Sequence, residues 1–198
     1  MKKKDMCRVL AVAMSIFFCL AGCSSRYTIQ SPRYARYNGE IDHHACMVHA
    51  PKNRIFRILT NNESFEKLCP KWIIVTREPP APFGPGTIAK TRVNQRIRLG
   101  WNSKVVQVTP NKIIRQRFLD GFFAGGTEIW ELDAVGQYTR VSHTIIVNPR
   151  GLLRKLIWNL KVRKKHDWMV ESFLQNLKKL AEANQVSPHA HMLSRIME

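Results

Sequence analysis

Glu128 and His143 carry the sharpest chemical signal in this chain. They lie on two alternating runs, Thr127–Asp133 and Tyr138–Val147, separated by the turn residues Ala134–Gln137. Successive strand side chains point to opposite faces, so parity sorts them. With a four-residue turn, Asp133 faces Tyr138, and stepping outward sets Leu132 against Thr139, Glu131 against Arg140, Trp130 against Val141 and Glu128 against His143. Glu131 and Arg140 then form an exterior ion pair. Glu128 and His143 share the inner face with Trp130, Leu132, Val141 and Ile145. A carboxylate beside an imidazole in an apolar cavity can hold the polar end of a ligand or move a proton. Alternatively the pair sits at strand ends near a cavity mouth, where water satisfies both groups. A one-residue register slip would invert the assignment.

Other chemistry-bearing residues give weaker patterns. Strand alternation puts His43 and His49 on one face and His44 on the other, so they do not converge simply. No CxxC, HExxH or glycine-rich phosphate loop occurs. Metal and nucleotide chemistry, and any other cofactor, are therefore not expected. Late in the chain, Arg163, Lys164 and Asp167 interrupt a helical apolar stripe between Leu160 and Val170. These residues can pair as helical neighbours, with Lys164 facing a cavity and binding a headgroup, or can lie in a solvated stretch.

The elements that must position these groups follow from periodicity. His43–Ala50 reads as a strand ending at Pro51. Ile55, Phe56, Ile58 and Leu59 suggest a short helix, and Phe65 with Leu68 a second, capped by Asn61 or Asn62. Trp72–Val75 is strand-like, and the proline-rich segment from Glu78 to Gly86 is a loop. Strand-like runs follow at Thr87–Val93, Arg96–Val108, Lys112–Leu119, Thr127–Asp133 and Tyr138–Val147. Ile114, Gln116 and Phe118 share one face against Ile113, Arg115 and Arg117, while Ile97, Leu99 and Trp101 oppose Arg96 and Arg98. The consistent solution is an apolar concave face and a basic convex one. Leu152–Ala183 then repeats apolar residues at helical spacing, including Leu153, Leu156, Leu160, Val170, Phe173 and Leu177.

Val48-His49-Ala50-Pro51 with Ile55-Phe56, the stretch Phe65–Trp72, and Trp130-Glu131-Leu132 with Thr139-Arg140-Val141 resemble corresponding segments of the START-like (SRPBCC, polyketide cyclase and lipid-transport) superfamily. The resemblance spans roughly residues 41–183. It implies an α+β helix-grip fold: a curved antiparallel sheet of about seven strands wrapped around a long C-terminal helix, with two short helices after the first strand. It also implies a cavity, whose lining candidates are Glu128, His143, Trp130, Trp101, Phe118, Val141, Ile145, Leu160 and Lys164.

The N-terminus reads as an address. Lys2, Lys3, Lys4 and Arg8 against Asp5 precede an apolar run, Val9–Leu20, too short for the roughly 20 residues of a membrane-spanning helix. Leu20-Ala21-Gly22-Cys23 resembles the lipobox of bacterial lipoproteins, which implies a signal peptide over 1–22 and lipidation of Cys23. Ser24 next to it suggests, by the same resemblance, an outer-membrane destination facing the periplasm in a two-membrane bacterium. Residues 23–40 read as a flexible tether, 41–183 as the domain and 184–198 as a tail. Cys46 and Cys69 remain in a compartment that permits disulfides, with two buried free thiols the favoured state.

The chain carries a formal net charge of +18, and its acid-free windows, Glu78 to Asp120 and Asp133 to Asp167, are rich in Lys and Arg. Such a field attracts polyanions. The secretory address selects an anionic membrane surface over nucleic acid, although plain solubility would produce the same bias. The expectation is a monomeric, membrane-anchored binder or carrier of a hydrophobic small molecule or lipid. A cyclase- or dehydratase-like enzyme using the same cavity, and an envelope interaction protein with a filled cavity, remain as alternatives.

Overall fold

The computed structural model describes residues 34–35, 37–94 and 99–183. The expectations for the signal segment, Cys23, Ile97 and the 184–198 tail lie outside the described residues. Seven strands alternate with turns: β1 (Glu40–Val48), β2 (Ile73–Glu78), β3 (Ile88–Val93), β4 (Leu99–Thr109), β5 (Ile113–Phe118), β6 (Thr127–Val135) and β7 (Tyr138–Val147). They form one antiparallel sheet in the order β1-β7-β6-β5-β4-β3-β2. Between β1 and β2 come α1 (Lys52–Thr60) and α2 (Asn62–Glu66), the latter capped by Asn61, whose side chain accepts from the Ser64 amide. After β7 run α3 (Leu152–Ile157), a π-helical turn (Trp158–Val162) and α4 (Arg163–Glu182). This is the expected helix-grip architecture. No helix among the described residues is long and apolar enough to cross a membrane.

The core lies between the concave face and α4. Val170, Phe173, Leu174, Leu177 and Ala181 follow helical spacing and meet Cys46, Val48, Ile114, Trp130, Leu132 and Val141 from the sheet and Ile55, Ile58 and Leu59 from α1. A bulge between Val105 and Gln107 bends β4. Cys46 and Cys69 are both free thiols, the first buried and the second half-buried.

Three local expectations need correction. The β6–β7 turn has two residues, not four: Val135 pairs with Tyr138, and Gly136 takes the positive φ of 58° suited to the first central position of a tight hairpin turn. The register is therefore shifted by two. Glu131 faces Ser142, Asp133 faces Arg140, and Glu131 is buried, accepting a hydrogen bond from the Tyr34 hydroxyl. Tyr34 itself falls in the stretch expected to be a tether, yet packs on the convex face with Ile129 and Ile146.

The third correction concerns the C-terminal helix. Leu152, Leu153, Leu156 and Leu160 do not extend the inward stripe; they are exposed, Leu152 by 87% and Leu153 by 69%. The π turn explains the change of face. At about 100° per residue, Trp158 and His166 would be about 80° out of phase in a continuous α-helix. The extra residue of the π turn brings both inward. Trp158 is fully buried against Phe118, Phe123 and Ile145, while the neighbouring leucines turn outward.

Candidate functional site

The concave face carries polar groups where an apolar core would otherwise continue. In the true register Trp130 stands opposite His143, and Glu128 opposite Ile145. A slip of two preserves parity, so Glu128 and His143 still share the inner face, as diagonal neighbours within side-chain reach. His143 Nε2 lies 3.0 Å from Glu128 Oε1, and the Trp130 indole N–H donates to the same oxygen at 2.9 Å. Gln116 Nε2 is 3.4 Å from the other oxygen, and Ser103 donates to Gln116 Oε1 at 3.0 Å.

The electrostatics of the pair follow from burial and contact. Burial pushes the Glu128 carboxyl up, but the hydrogen bond and charge of His143 and the Trp130 N–H outweigh it, leaving the carboxyl below its ordinary value. Burial lowers the His143 imidazole, Glu128 opposes that, and the charges of His166 and His44 add to the lowering. Both directions favour a carboxylate on Glu128 and an uncharged ring on His143, for which the contact is Nε2–H donating to Oε1. His143 Nδ1 is then a buried lone pair with no hydrogen-bond partner among the described residues. The strand-end placement in contact with water does not hold for His143, which is 3% exposed.

A second polar group adjoins the first. Asp42 and His44, two residues apart on β1, point inward, and His44 stands directly opposite His143. From α4, His166 and Asp167 occupy the inward positions one turn before Val170. His166 Nδ1 is 2.8 Å from Asp42 Oδ2, and His44 Nε2 is 3.2 Å from Asp167 Oδ1 and 3.6 Å from Asp42 Oδ1. Arg163 Nε lies 3.6 Å from Asp42 Oδ1. Burial opposes the Asp42 charge, but the hydrogen bond with His166 and the ion-pair contact with His44 hold its carboxyl far below the usual range. Burial opposes His44 protonation too, and Asp167 and Asp42 more than compensate, raising it to about 9.

The polar break expected at Arg163, Lys164 and Asp167 is thus resolved differently: Asp167 faces the interior with His166, while Lys164 is exposed. Parity within β1 separates His44 from His43 and His49 but is silent about α4. The missed signal was present as Asp42-x-His44 on one strand face and His166-Asp167 ahead of the helix's inward apolar stripe.

Two cavities meet these groups. A small one of about 60 Å³ is lined by Glu128, His143, Gln116, Ser103, Trp130 and Arg77 among apolar neighbours. At about 30 Å³ per water, it has room for roughly two. A larger pocket of about 540 Å³ lies between the sheet edge and the start of α4, lined by Trp72, Val93, Leu99, Trp101, Phe122, Phe123, Ile157, Leu160, Val162, Trp168 and Met169, with Lys161, Lys164, Lys165 and His166. Trp72 and Trp168 stack on one side of it, ring centroids 4.8 Å apart. Trp101 and Met169 line both cavities. Of the nine candidate lining residues, Glu128, His143 and Trp130 line the small cavity, Leu160 and Lys164 the large one, and Trp101 both. Phe118, Val141 and Ile145 are buried packing residues that line neither.

No protein-family model matches the chain, and no curated protein matches it at a significant level. Solved structures do. TTHA0849 from Thermus thermophilus superposes with a TM-score of 0.61 at 18% identity, over 73% of this chain and 99% of that one. The Aha1 dimer from Colwellia psychrerythraea gives 0.56 at 19%, over 73% and 98%. Ara h 8.0201 gives 0.57 at 11%, over 74% and its full length. At such identities the likeness is one of fold, and the chain is a helix-grip domain of the kind these proteins share.

Proposed function

We propose that this protein is a lipid-anchored carrier of a hydrophobic ligand in the bacterial cell envelope, tethered through Cys23 and docking on an anionic membrane surface. The observation that carries the reading is the 540 Å³ apolar pocket, within the roughly 300–1,000 Å³ of ordinary ligand sites. Its rim supports the membrane part. Ile157 and Leu160 belong to the pocket wall and continue the outward leucines of α3, while Arg154, Lys155, Lys161, Lys164 and Lys165 surround them. An exposed apolar stripe flanked by cations fits the interface of an anionic bilayer. A ligand leaving that mouth would pass into acyl chains without crossing water.

Native mass spectrometry with solvent extraction tests the carrier. A co-purifying apolar adduct is expected, and bare protein together with failure to take up any lipid from vesicles would overturn it. For docking, the chain from Ser24 onward should sediment with anionic vesicles. Leu153→Asp with Leu156→Asp should weaken that binding at least tenfold, and salt should weaken it further. Equal binding to neutral vesicles would overturn the electrostatic part.

A second reading, a proton-transfer enzyme, is favoured by one observation: the unpartnered Nδ1 of His143 beside its carboxylate-bound Nε2. Recovery of chemically altered ligand from the wild type and unaltered ligand from His143→Phe would promote it. The open pocket counts against an interaction protein with a filled cavity.

A further inference from the structure

We propose that Asp42, His44, His166 and Asp167 form a buried binding site for one divalent transition-metal ion of the zinc class. One atom from each residue can be chosen so that all four lie within 4.8 Å of one another, and all four residues are buried. In a tetrahedral site with metal–ligand distances of about 2.0–2.1 Å, neighbouring ligand atoms are about 3.3–3.4 Å apart. The His44 Nε2 separations of 3.2 and 3.6 Å from the two aspartates bracket that edge. The 2.8 Å contact between His166 Nδ1 and Asp42 Oδ2 must open by about half an ångström, and any pair near the 4.8 Å limit of the cluster must close toward that edge.

A hydrogen-bonded network does not account for the arrangement equally well. His44 Nε2 is directed between two carboxylates, yet it has no aligned hydrogen-bond partner among the described residues, although the side chain is only 2% exposed. A metal ion between the carboxylates would use that nitrogen's lone pair. Two aspartates and two neutral imidazoles carry −2, which a divalent ion cancels. Arg163, at 3.6 Å from Asp42 Oδ1 and partly exposed, can remain on the carboxylate as an outer partner. His143, ring centroid 5.7 Å from that of His166, is the other titratable group packed against the cluster.

The ligand set also narrows the ion. Two imidazoles and two carboxylates with no thiolate suit zinc, or cobalt as its substitute, better than calcium or magnesium, which take oxygen-only shells. An access route exists because His166 lines the 540 Å³ pocket. The proposal does not rest on the carrier reading, since a metal can bind whether or not the pocket holds lipid.

The test uses the full-length protein in detergent, stripped with chelator and dialysed. Titration with Co²⁺ should give visible absorption bands of a four-coordinate ion, saturating at one per chain and displaced by Zn²⁺. Asp167→Asn and His44→Gln should each weaken Zn²⁺ binding at least 100-fold, while His189→Ala with His191→Ala should leave it unchanged. Should the aspartate or histidine variants fail to fold, X-ray absorption of the wild-type zinc protein decides: two nitrogen and two oxygen ligands near 2.0 Å are expected. No binding tighter than about 10 µM, or binding abolished by the His189 and His191 changes, overturns the site.

Discussion

Replacing Glu128 probes the interior directly. Glu128→Leu removes the acceptor for the His143 ring nitrogen at 3.0 Å and the Trp130 indole at 2.9 Å, and ends the weaker Gln116 contact. Each buried donor left unpaired costs about 1–3 kcal/mol, and breaking one side of a buried charged pair about 3–5. Removing the carboxylate also ends its own desolvation cost, so the net loss should be about 3–4 kcal/mol. At about 2–4 °C per kcal/mol for a domain of this size, the midpoint should fall by about 10 °C. Glu128→Gln keeps one acceptor oxygen and should cost about 1–2 kcal/mol. Urea unfolding of the chain from Ser24 onward measures these values. A double-mutant cycle with His143→Phe should give a coupling of at least about 1.5 kcal/mol, because the second change removes the donor that the first orphans. A loss below about 1 kcal/mol for Glu128→Leu, with additive single effects, would refute the buried network and return Glu128 to a hydrated strand end.

Two further outcomes follow from other parts of the domain. Arg77 reaches from β2 to the α1–α2 junction, donating to the Leu59 carbonyl at 2.8 Å while its guanidinium lies over Phe65 at 4.0 Å and Phe83 at 4.5 Å. Arg77→Lys should cost about 1–3 kcal/mol in thermal or urea unfolding, since an ammonium cannot reproduce the planar fork, and a neutral result would contradict that account. Burial pushes the Cys69 thiol up to about 11, against an ordinary 9. Its native alkylation rate should therefore be low at pH 8 and climb until about pH 11. Stability should fall over the same pH 9–11 window, because there the folded thiol keeps a proton that the unfolded one has lost. Fast labelling at pH 8 in native protein would be inconsistent with that burial.

What the sequence made legible was what local periodicity determines. Strand parity correctly placed Glu128, Trp130 and His143 on one face, and this survived a wrong turn length because a two-residue slip leaves parity unchanged. The paired partners did not survive, so the Glu131–Arg140 ion pair was lost, and Glu131 became the buried acceptor of Tyr34. The long helix was legible as a helix but not in its phase. Nothing in Leu152–Val162 announces a π turn, and one extra residue was enough to turn Trp158 inward and the leucines outward. Asp42, His44, His166 and Asp167 were illegible for another reason. They lie up to 125 residues apart, and no alternation rule within one element reports what a different element places opposite it.

The energetics of this interior argue that its polar residues are not there for stability. Apolar groups of similar volume at Glu128 and His143, or at Asp42 and His166, would avoid the desolvation of two carboxylates, and the first replacement would also remove the unpartnered Nδ1 of His143. A domain of this size could complete its core with leucines, as it does along Val170, Phe173, Leu174 and Leu177. Instead, the polar residues concentrate where the helix begins and the large pocket reaches inward, with His166 belonging to both the acidic cluster and the pocket wall. Polar groups retained at such a cost, at the inner end of an apolar pocket, are placed to meet something that enters it. On that argument the two halves of α4 have separate tasks. The segment from Val170 onward packs the apolar core, and the turn carrying His166 and Asp167 contributes the buried polar cluster beside the pocket.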